Sequence, residues 1–360
     1  MCESSRERNM PVETRGYAAQ SATSPVAPFS FTRRDLRPDD VAIDILYCGI
    51  CHTDIHQARN EWGRSRYPLV PGHEIVGRVT AVGTEVKDFR PGELVGVGCM
   101  VDSCQHCDSC GEGLEQFCKE GATFTYNNVD RHDNTTTMGG YSERIVVSHK
   151  FVLRIPGNLD AKAAAPLLCA GITLYSPLKH WGVKKGTRVG IVGLGGLGHM
   201  GLKLAKAMGA EVTLFTRSLH KESEAKRLGA DHVVISTDPR QMKAVAGSFD
   251  LVIDTVPNEH DVNPYIATVR RDGDYVLVGQ LTPLVPPLNP SPLMGGRKSV
   301  SGSMIGGIAE TQEMLDFCGD HDIVADVDVI PIQMINEAYE RMLKSDVRYR
   351  FVIDMASLKA

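Results

Sequence analysis

The stretch VGIVGLGGLGHMGLKLAKAMGA, residues 189–210, decides the fold of the second half of the chain. Its first residues are apolar and predict a buried strand, and its second half has the apolar spacing of a helix. Between them lies a G-x-G-x-x-G loop formed by Gly193, Gly195 and Gly198. The first glycine permits a tight turn, the second lets a pyrophosphate approach the backbone, and the third lets helix and strand pack closely. Between a strand and a helix, this motif predicts a dinucleotide-binding loop rather than a glycine-rich turn without a ligand.

The segments around this loop alternate between strands and helices. Downstream, EVTLFTR, DHVVI, FDLVIDTV and DYVLVG predict strands, and LHKESEAKRLGA predicts a helix. Upstream, the Ala- and Leu-rich residues 159–180 predict a helix that begins at Asp160. This alternation predicts an α/β domain with a parallel, doubly wound sheet.

The end of the second strand in this half distinguishes NAD from NADP. An NAD site usually has Asp or Glu there, about 20 residues after the glycine loop. This chain has no carboxylate at that place but has Thr216, Arg217, Ser218 and Lys221. Two hydroxyls and two cations suit a 2′-phosphate through charge-assisted hydrogen bonds, so these residues favour NADP(H). The alternative is a solvated helix start that carries a few charges.

The first half of the chain has the character of a β-rich domain. Residues 16–155 contain many glycines and prolines and short β-type runs such as VAIDILYCGIC and HEIVGRVTAVG. Residues 1–14 are charged and are expected to fray, and the tail ends in the strand RYRFVIDM. We predict domains at residues 1–158 and 159–303, with residues 304–360 returning to the first domain.

Composition excludes several classes of protein. The net charge is −5, which argues against a general nucleic-acid or anionic-membrane binder. The N-terminal residues have no apolar core of a secretory signal, and no apolar run is long enough to span a bilayer, so a cytoplasmic protein is expected. In a reducing compartment, the ten cysteines indicate metal binding or catalysis more than disulfides.

Four of these cysteines are closely spaced in SCQHCDSCGEGLEQFC, residues 103–118. The spacing C-x2-C-x2-C-x7-C of Cys104, Cys107, Cys110 and Cys118 is typical of a closed zinc site with four thiolate ligands. Thiol redox chemistry and a disulfide framework are the alternatives.

A second set of metal-binding side chains is dispersed. CGICHTDIH and PGHEIVG contain Cys48, Cys51, His52, His56, His73 and Glu74, and Cys169 follows much later. Zinc accepts Cys, His and carboxylate ligands, and a catalytic site has three protein ligands with one open position. Spacing alone does not select the ligands from this set.

Five stretches together resemble one enzyme family: GHEIVGRVTAVG, CGICHTDIH, the four-cysteine loop, LLCAGITLYSPL and GIVGLGGLGHMGLKLAKAMG. From Gly16 to Asp354 the chain is similar to the zinc-dependent medium-chain alcohol dehydrogenases, and most similar to their cinnamyl alcohol dehydrogenase branch, which includes bacterial NADP-dependent enzymes. The resemblance implies a GroES-like, β-rich catalytic domain joined to a Rossmann domain.

The resemblance also implies which residues bind zinc. Cys51, His73 and Cys169 match the ligands of a catalytic zinc ion, and Glu74 matches a carboxylate that approaches the metal when water or substrate leaves. The four-cysteine loop matches a structural zinc lobe, so two zinc ions per chain are expected.

A proton path is implied next to the catalytic zinc. Thr53 matches the hydroxyl that passes on the substrate proton, His56 the residue that ends the relay at solvent, and Asp54 the residue that orients the ligand histidine. In this scheme zinc polarises the substrate oxygen and the nicotinamide carries the hydride.

Further cofactor contacts are implied in the glycine loop and at three other places, where ordinary strand ends are the alternative. Arg350 matches a basic residue that reaches the cofactor phosphates, with a surface ion pair as the alternative. The implied contacts are Gly193, Leu194, Gly195, Gly196, Leu197, Gly198, Thr173, Val278, Gly279, Ser301 and Ser303.

An apolar substrate pocket is expected to have few polar groups. Trp62, Cys99, Phe124 and Met304 are candidates for its wall or for core packing.

The residues and the resemblance together predict a zinc-dependent, NADP(H)-linked oxidoreductase. The resemblance implies that it interconverts primary alcohols and aldehydes, aromatic or aliphatic, and that it forms a homo-oligomer, with a dimer favoured. The alternatives are a polyol or formaldehyde dehydrogenase of the same superfamily and a non-catalytic NADP(H)-binding redox sensor.

Overall fold

The structure is a computed structural model that describes residues 12–279 and 282–359. The described residues form two compact units. Unit 1 comprises residues 12–168, Gly307–Asp316 and residues 326–359, and unit 2 comprises Cys169–Gly306 and Phe317–Ala325. The domain boundaries after residues 158 and 303 stay a prediction.

Unit 1 is rich in short strands, as its glycine- and proline-punctuated sequence predicts. Its elements up to the first departure of the chain are β1 (Val12–Ala18), β2 (Ala27–Arg33), β3 (Asp40–Gly49), α1 (His52–Ala58), β4 (Ile75–Val82), β5 (Leu94–Val97), β6 (Met100–Asp102), α2 (Asp108–Gly111), β7 (Thr123–Phe124), β8 (Arg144–Ser148), β9 (Leu153–Arg154) and α3 (Ala161–Ala164), with 3-10 turns at Glu115–Phe117, His149–Phe151 and Ala165–Leu168.

Unit 2 alternates helices and strands. Its elements are α4 (Ala170–His180), β10 (Arg188–Val192), α5 (Gly198–Ala207), β11 (Glu211–Thr216), α6 (Glu222–Arg227), β12 (His232–Ile235), α7 (Pro239–Ala244), β13 (Phe249–Asp254), α8 (Asn263–Thr268), β14 (Val269–Leu277), α9 (Pro290–Gly296) and β15 (Ser299–Gly302), with a 3-10 turn at Leu219–Lys221. Helix α10 (Ile308–Asp320) begins in unit 1 and ends in unit 2.

The remaining elements return to unit 1. They are β16 (Val327–Pro331), α11 (Ile335–Leu343) and β17 (Arg350–Asp354), with 3-10 turns at Ile332–Met334 and Met355–Lys359. Strand β17 pairs antiparallel with β3, so that Ile353 lies opposite Cys48. The main sheet of this unit has the order β16-β17-β3-β4-β5-β9, and β8 also pairs with β3. The predicted terminal strand is thereby confirmed, and it lies beside the strand that leads to Cys51.

The sheet of unit 2 has six parallel strands in the order β12-β11-β10-β13-β14-β15. The order reverses between β10 and β13, and ligands of such sheets bind at this switch point, beyond the carboxyl ends of the strands. Side chains of β10, β11, β13 and β14 form the core, with Phe215 and Tyr275 fully buried. The predicted doubly wound α/β fold is confirmed.

Three local predictions need correction. Residues 159–180 do not form one helix, because a 3-10 turn containing Pro166 and the non-helical backbone of Cys169 separate α3 from α4. Strand β15 was not predicted from its short, polar sequence SVSG. Residues 1–11, which were expected to fray, lie outside the described residues, but Val12–Ala18 form strand β1, so the expectation is wrong for residues 12–14. Within the described residues, no helix has both the length and the hydropathy needed to cross a bilayer.

Candidate active site

Four buried side chains form one cluster of metal-binding atoms. Cys51, His73, Glu74 and Cys169 each place one ligand atom within 4.8 Å of the others. All four are buried. Cys169 is the first residue of unit 2 and directly follows Leu168, which ends the first segment of unit 1. The structure therefore brings together the dispersed residues that spacing alone did not select.

The pairing of β3 and β4 explains why three of these residues meet. Strand β3 ends at Gly49 and leads through Ile50 into α1, where Cys51 is the N-cap. His73 and Glu74 directly precede β4, and the antiparallel register sets Ile75 opposite Cys48. The end of one strand and the start of the next therefore lie side by side.

Asp54 orients this cluster from inside the protein. Its side chain is fully buried and lies 3.3 Å from Nδ1 of His73. It also accepts hydrogen bonds from the backbone N–H groups of Cys51, at 2.8 Å, and Gly72, at 3.1 Å. The carboxylate leaves Nε2 of His73 as the nitrogen that can bind a metal, because it fixes the proton on Nδ1.

Two tyrosines that sequence reasoning missed surround the same aspartate and histidine. The buried hydroxyl of Tyr141 donates to Oδ2 of Asp54 at 3.2 Å. The ring of Tyr126 stacks on the ring of His73, with centroids 5.8 Å apart. Both tyrosines follow His73 within about 70 residues. They lie in loop or turn segments that carry no metal-binding pattern. Their sequence context therefore gave no signal of this role.

Glu74 forms a buried ion pair with Arg350 of β17. This corrects the surface-pair alternative for Arg350, which is 3% exposed, whereas its contact with the cofactor phosphates stays a prediction. Burial raises the pKa of Glu74 to about 7, although Arg350 opposes the shift. Only Oε1 is used in the pair, and Oε2 has no hydrogen-bond partner among the described residues.

The free oxygen of Glu74 fits a metal site. A buried carboxylate oxygen without a partner is costly unless a proton or a cation satisfies it. A Cβ atom at position 49 would lie 2.0 Å from Oε2, so the glycine there is required for this placement. Two thiols, one imidazole and one carboxylate form a donor set that suits zinc and can leave a coordination position open.

The candidate proton path lies beside this cluster. Oγ1 of Thr53 is 3.6 Å from Sγ of Cys51. His56 lies three residues further on the same short helix, half-buried, and its Nδ1 is 2.5 Å from Oε2 of the exposed Glu61. Glu61 was missed by sequence reasoning, since it lies in the turn after α1 without a motif of its own. A protonatable pair at the protein surface can exchange protons with solvent.

The four-cysteine loop has the geometry of a closed thiolate site. The sulfur atoms of Cys104, Cys107, Cys110 and Cys118 lie within 4.8 Å of one another, and those of Cys104 and Cys110 are 3.8 Å apart. Four sulfurs arranged tetrahedrally at about 2.3 Å from zinc would be separated by roughly 3.8 Å. All nine cysteines in the described part of the chain are free, which argues against the disulfide alternative.

Backbone N–H groups point at these sulfurs. Those of Cys107 and Lys119 lie 3.3 and 3.5 Å from the sulfurs of Cys104 and Cys107. Backbone hydrogen bonds lower the pKa of Cys107 to about 6, whereas burial raises the pKa of Cys110 to about 12. His106, between two of these cysteines, instead pairs with Glu120 at 2.8 Å on the exposed surface. The loop is thus arranged to hold anionic sulfur.

The glycine loop of unit 2 has the predicted conformation. Gly193 has φ +90°, which favours glycine, and a Cβ at Gly198 would lie 2.0 Å from the carbonyl oxygen of Gly193. A Cβ at Gly195 would meet nothing within 4 Å, so the space above its backbone is open. Helix α5 starts at Gly198, and its N-terminus adds backbone donors and a positive dipole end.

The end of β11 presents two cations. Thr216 is buried at the end of the strand, and its Oγ1 lies 3.3 Å from the backbone nitrogen of Ser218. Nζ of Lys221 donates to the carbonyl oxygen of Leu194 in the glycine loop at 3.3 Å. Burial and the nearby Arg217 lower the pKa of Lys221. Within residues 12–279 and 282–359, neither Arg217 nor Lys221 forms an ion pair with a carboxylate, because the carboxylates of Glu222 and Glu224 pair with Lys226 and Arg227.

Two family models match this chain. The alcohol dehydrogenase GroES-like domain matches residues 37–157, and the zinc-binding dehydrogenase domain matches residues 196–320. The chain belongs to the medium-chain zinc alcohol dehydrogenases. The predicted GroES-like and Rossmann domains are thereby confirmed.

Individual relatives define the branch. The chain is 54% identical to NADP-dependent alcohol dehydrogenase C of Mycobacterium tuberculosis over 95% of its length and 98% of that protein. It is 53% identical to aldehyde reductase YahK of Escherichia coli, covering 96% and 99% of the two chains. The solved structure of a cinnamyl alcohol dehydrogenase from Sorghum bicolor superposes with a TM-score of 0.93 at 47% identity, covering 96% and 98%. The predicted cinnamyl alcohol dehydrogenase branch is confirmed.

This medium-chain alcohol dehydrogenase is an oxidoreductase that interconverts alcohols and aldehydes, with zinc and NADP(H) as its cofactors. The alternative of a non-catalytic sensor is therefore rejected. The roles of the individual site residues stay proposals.

The candidate cofactor contacts outside the glycine loop lie at element ends in unit 2, apart from one in a helix. Thr173 is buried in α4, Val278 and Gly279 follow β14, Ser301 lies in β15, and Ser303 donates its backbone N–H to the carbonyl oxygen of Leu277 at 3.1 Å.

The candidate pocket residues are distributed over both units. The ring of Trp62 lies against that of His56, with centroids 5.2 Å apart. Phe124 is half-buried in β7, and Sγ of Cys99 is 3.9 Å from the carbonyl oxygen of Leu168. Met304 of unit 2 is 44% exposed, so core packing does not explain it.

Proposed function

We propose that this enzyme reversibly reduces aldehydes to primary alcohols with NADPH. The observation that carries the proposal is the cluster of two thiols, one imidazole and the unpartnered oxygen of Glu74. A hydroxyl that can transfer a proton, that of Thr53, lies directly beside it.

We assign Cys51, His73 and Cys169 as ligands of the catalytic zinc ion. When bound, zinc acts as a Lewis acid on the substrate oxygen, and NADP(H) supplies or accepts the hydride at the adjacent carbon. Asp54 holds His73 in the orientation that presents its other nitrogen. Glu74 keeps one oxygen on Arg350 and has the other available for the metal.

Proton transfer is assigned to α1. The hydroxyl of Thr53 donates to or accepts from the substrate oxygen, because it is the hydroxyl next to the ligand cluster. His56, paired with Glu61, exchanges the proton with solvent. In reduction, the new C–H bond takes the hydride and the oxygen takes this proton, so charge and atoms balance.

Cofactor binding is assigned to the carboxyl edge of the sheet in unit 2. The glycine loop receives the pyrophosphate, and Thr216, Arg217, Ser218 and Lys221 receive the 2′-phosphate. On the family resemblance, we assign the contacts with the nicotinamide to five further residues: Thr173, Val278, Gly279, Ser301 and Ser303.

The four-cysteine loop is assigned to a structural zinc ion. Its sulfur spacing supports this role, and four thiolates leave no position for substrate.

We further propose an aromatic or aliphatic aldehyde as substrate, with Trp62, Cys99 and Phe124 of unit 1 on the pocket wall. A homodimer is supported by the outer edge of β15, which pairs with no other described strand, and by Met294 of α9, which is 82% exposed. A cytoplasmic location is supported by the free thiols of the described residues.

A substrate panel tests the reaction. The purified enzyme is assayed with NADPH and NADH against cinnamaldehyde, benzaldehyde, hexanal and formaldehyde, and with NADP against mannitol. We expect NADPH-dependent reduction of the first three aldehydes and about two zinc ions per chain. Activity confined to formaldehyde or mannitol would overturn the proposed substrate class.

The Thr216→Asp variant tests the 2′-phosphate assignment. A carboxylate at this position repels the phosphate and removes a hydroxyl, so KM for NADPH should rise about 10- to 100-fold while KM for NADH changes little. The Thr213→Ser variant, in the same strand, is the control. Equal changes for both cofactors would contradict the assignment.

A further inference from the structure

A buried carboxylate lies where the central strand of unit 2 ends. Asp254, the last residue of β13, is 1% exposed. Its Oδ1 accepts the backbone N–H of Val256 at 3.0 Å. Its Oδ2 accepts from Nε2 of His260 at 2.8 Å and from the hydroxyl of Tyr275 on β14. The mechanism above makes no use of this carboxylate, although it adjoins the switch point of the sheet.

The hydrogen bonds of His260 define its charge. Nε2 faces the carboxylate of Asp254, and Nδ1 faces the carbonyl oxygen of Asn258 at 2.9 Å. Carboxylate and carbonyl oxygens only accept hydrogen bonds, so both ring nitrogens must carry a proton. His260 is therefore an imidazolium ion, paired with a buried anion.

The residues held by this pair contact the glycine loop. Thr255, next to Asp254, donates from Oγ1 to the carbonyl oxygen of Val192 at 2.7 Å. A Cβ at either Gly193 or Gly198 would lie 3.3 Å from the same Oγ1. The turn after β13 therefore packs against the backbone of the glycine loop.

One aromatic ring connects the pair of Asp254 and His260 to the end of β11. Tyr265 of α8 packs edge-on against His260, with centroids 6.0 Å apart, and against Phe215, at 5.6 Å. Phe215 directly precedes Thr216, and the charge of Arg217 acts on the Tyr265 hydroxyl. The pair is thus connected to both the pyrophosphate and the 2′-phosphate ends of the assigned cofactor site.

We propose that Asp254 and His260 are positioning residues for NADP(H). Their ion pair holds the turn after β13 against the glycine loop, and loss of the His260 proton loosens that turn and weakens dinucleotide binding. The inference rests on the cofactor assignment proposed above. It adds a pH-dependent support to the site, provided by residues outside the set of cofactor contacts assigned above.

The sign of the pH dependence follows from the partners of His260. The hydrogen bond and the charge of Asp254 raise the pKa of His260, although its burial opposes this. The other groups that face it are Asp261 beside it, Tyr265 on α8 and, through Asp254, Tyr275 on β14. A raised pKa means that the pair is complete below the usual histidine value near ~6.5 and is lost as pH rises through the higher folded-state value.

The test measures the dissociation constant of NADPH on the zinc-loaded enzyme between pH 7 and 9.5, where the 2′-phosphate stays dianionic. We expect wild-type affinity to fall with rising pH, and His260→Gln to bind about three- to thirtyfold more weakly at pH 7 with a flatter profile. Tyr275→Phe, which removes one donor to Asp254, should show a smaller loss without a change in slope.

The matched control is His232→Gln. His232 also pairs with a carboxylate, Glu211, at 3.0 Å, but at the opposite, amino edge of the same sheet. It should leave the affinity for NADPH and its pH profile unchanged. A purely structural role of His260 would lower the melting temperature without changing the dissociation constant, and that result would overturn the inference.

A further arm separates this inference from the cofactor assignment. If Arg217→Ala leaves NADPH binding unchanged, the assignment of the 2′-phosphate site is wrong and the inference falls with it. If Arg217→Ala weakens binding but His260→Gln has the affinity and pH profile of the wild type, the assignment stands and the inference alone is wrong.

Discussion

The two cysteine-containing metal sites of this enzyme differ in almost every physical respect. The four-cysteine loop gathers its donors within residues 104–118, and three of the four are only partly buried. The catalytic cluster gathers its donors from residues 51–169, and all of them are buried. The loop uses one donor type four times, whereas the cluster uses three types and leaves one carboxylate oxygen unpartnered. In our proposal the closely spaced donors form the closed site, and the reactive site is the one that the fold must assemble.

The largest effect expected from this difference concerns one cysteine in each site. Cys51→Ser should reduce turnover below detection and leave the melting temperature nearly unchanged, because the surrounding strands still pair. Cys107→Ser should first lower stability or solubility, because metal binding in the loop is linked to its local folding. Turnover, zinc content and thermal unfolding of both variants check this. If the two variants behave alike, the division between a catalytic and a structural site is wrong.

The two sites should differ in how much an ion pair contributes to the free energy of unfolding, because the pair at the catalytic cluster is buried and the pair in the loop is exposed. Arg350→Met leaves Glu74 buried without its cationic partner and should lower the free energy of unfolding by about 3–5 kcal/mol. Lys119→Met, which removes an exposed pair with Asp108 in the loop, should have no measurable effect. Urea unfolding of the two variants checks the contrast. A loss of similar size for both would show that burial does not distinguish them.

Zinc retention should respond to a residue behind the catalytic ligands. Tyr141→Phe removes a hydrogen bond to Asp54 and should release the catalytic zinc to a chelator about tenfold faster, with the loop zinc unaffected. The control is Tyr67→Phe, which removes a hydroxyl bonded to the carbonyl oxygen of Ala58 at 2.9 Å. If the variant released the catalytic zinc and the loop zinc faster by the same factor, that result would contradict the separation of the sites.

The smallest effect concerns the loop after zinc removal. Because the pKa of Cys107 is lowered to about 6 and that of Cys110 is raised to about 12, alkylation of Cys107 should be half-maximal near pH 6. The thiolate is the reactive form, so the rate rises with pH through each pKa. Mass spectrometry of the alkylated, chelator-treated protein measures the profile. Faster alkylation of Cys110 than of Cys107 at pH 7 would refute this ordering.

Sequence predicted the parts of this enzyme that local patterns encode. The glycine loop and the four-cysteine loop are short motifs, and the strand–helix alternation is periodic, so each could be read without knowledge of distant contacts. The family resemblance supplied the dispersed ligand set Cys51, His73 and Cys169, which spacing alone left open.

Partners that the fold brings together from distant positions could not be predicted. Glu74 and Arg350 are 276 positions apart, and nothing near Arg350 indicates a buried carboxylate partner. His260 belongs to no motif in the sequence, and its charge follows only from two acceptors placed by a turn. The break between α3 and α4 depends on the backbone of Cys169, which the Ala- and Leu-rich composition conceals.

The pairing of β17 with β3 has a consequence for the order in which the protein is made. Glu74 emerges from the ribosome 276 residues before Arg350. At about 5–20 residues per second, roughly 14–55 seconds separate their synthesis. During that interval the nascent chain has the β3–β4 residues but lacks the strand that supplies the counter-charge of Glu74. We therefore expect the catalytic metal to be acquired after β17 has been synthesised, whereas the four-cysteine loop can acquire its zinc while the chain is still growing.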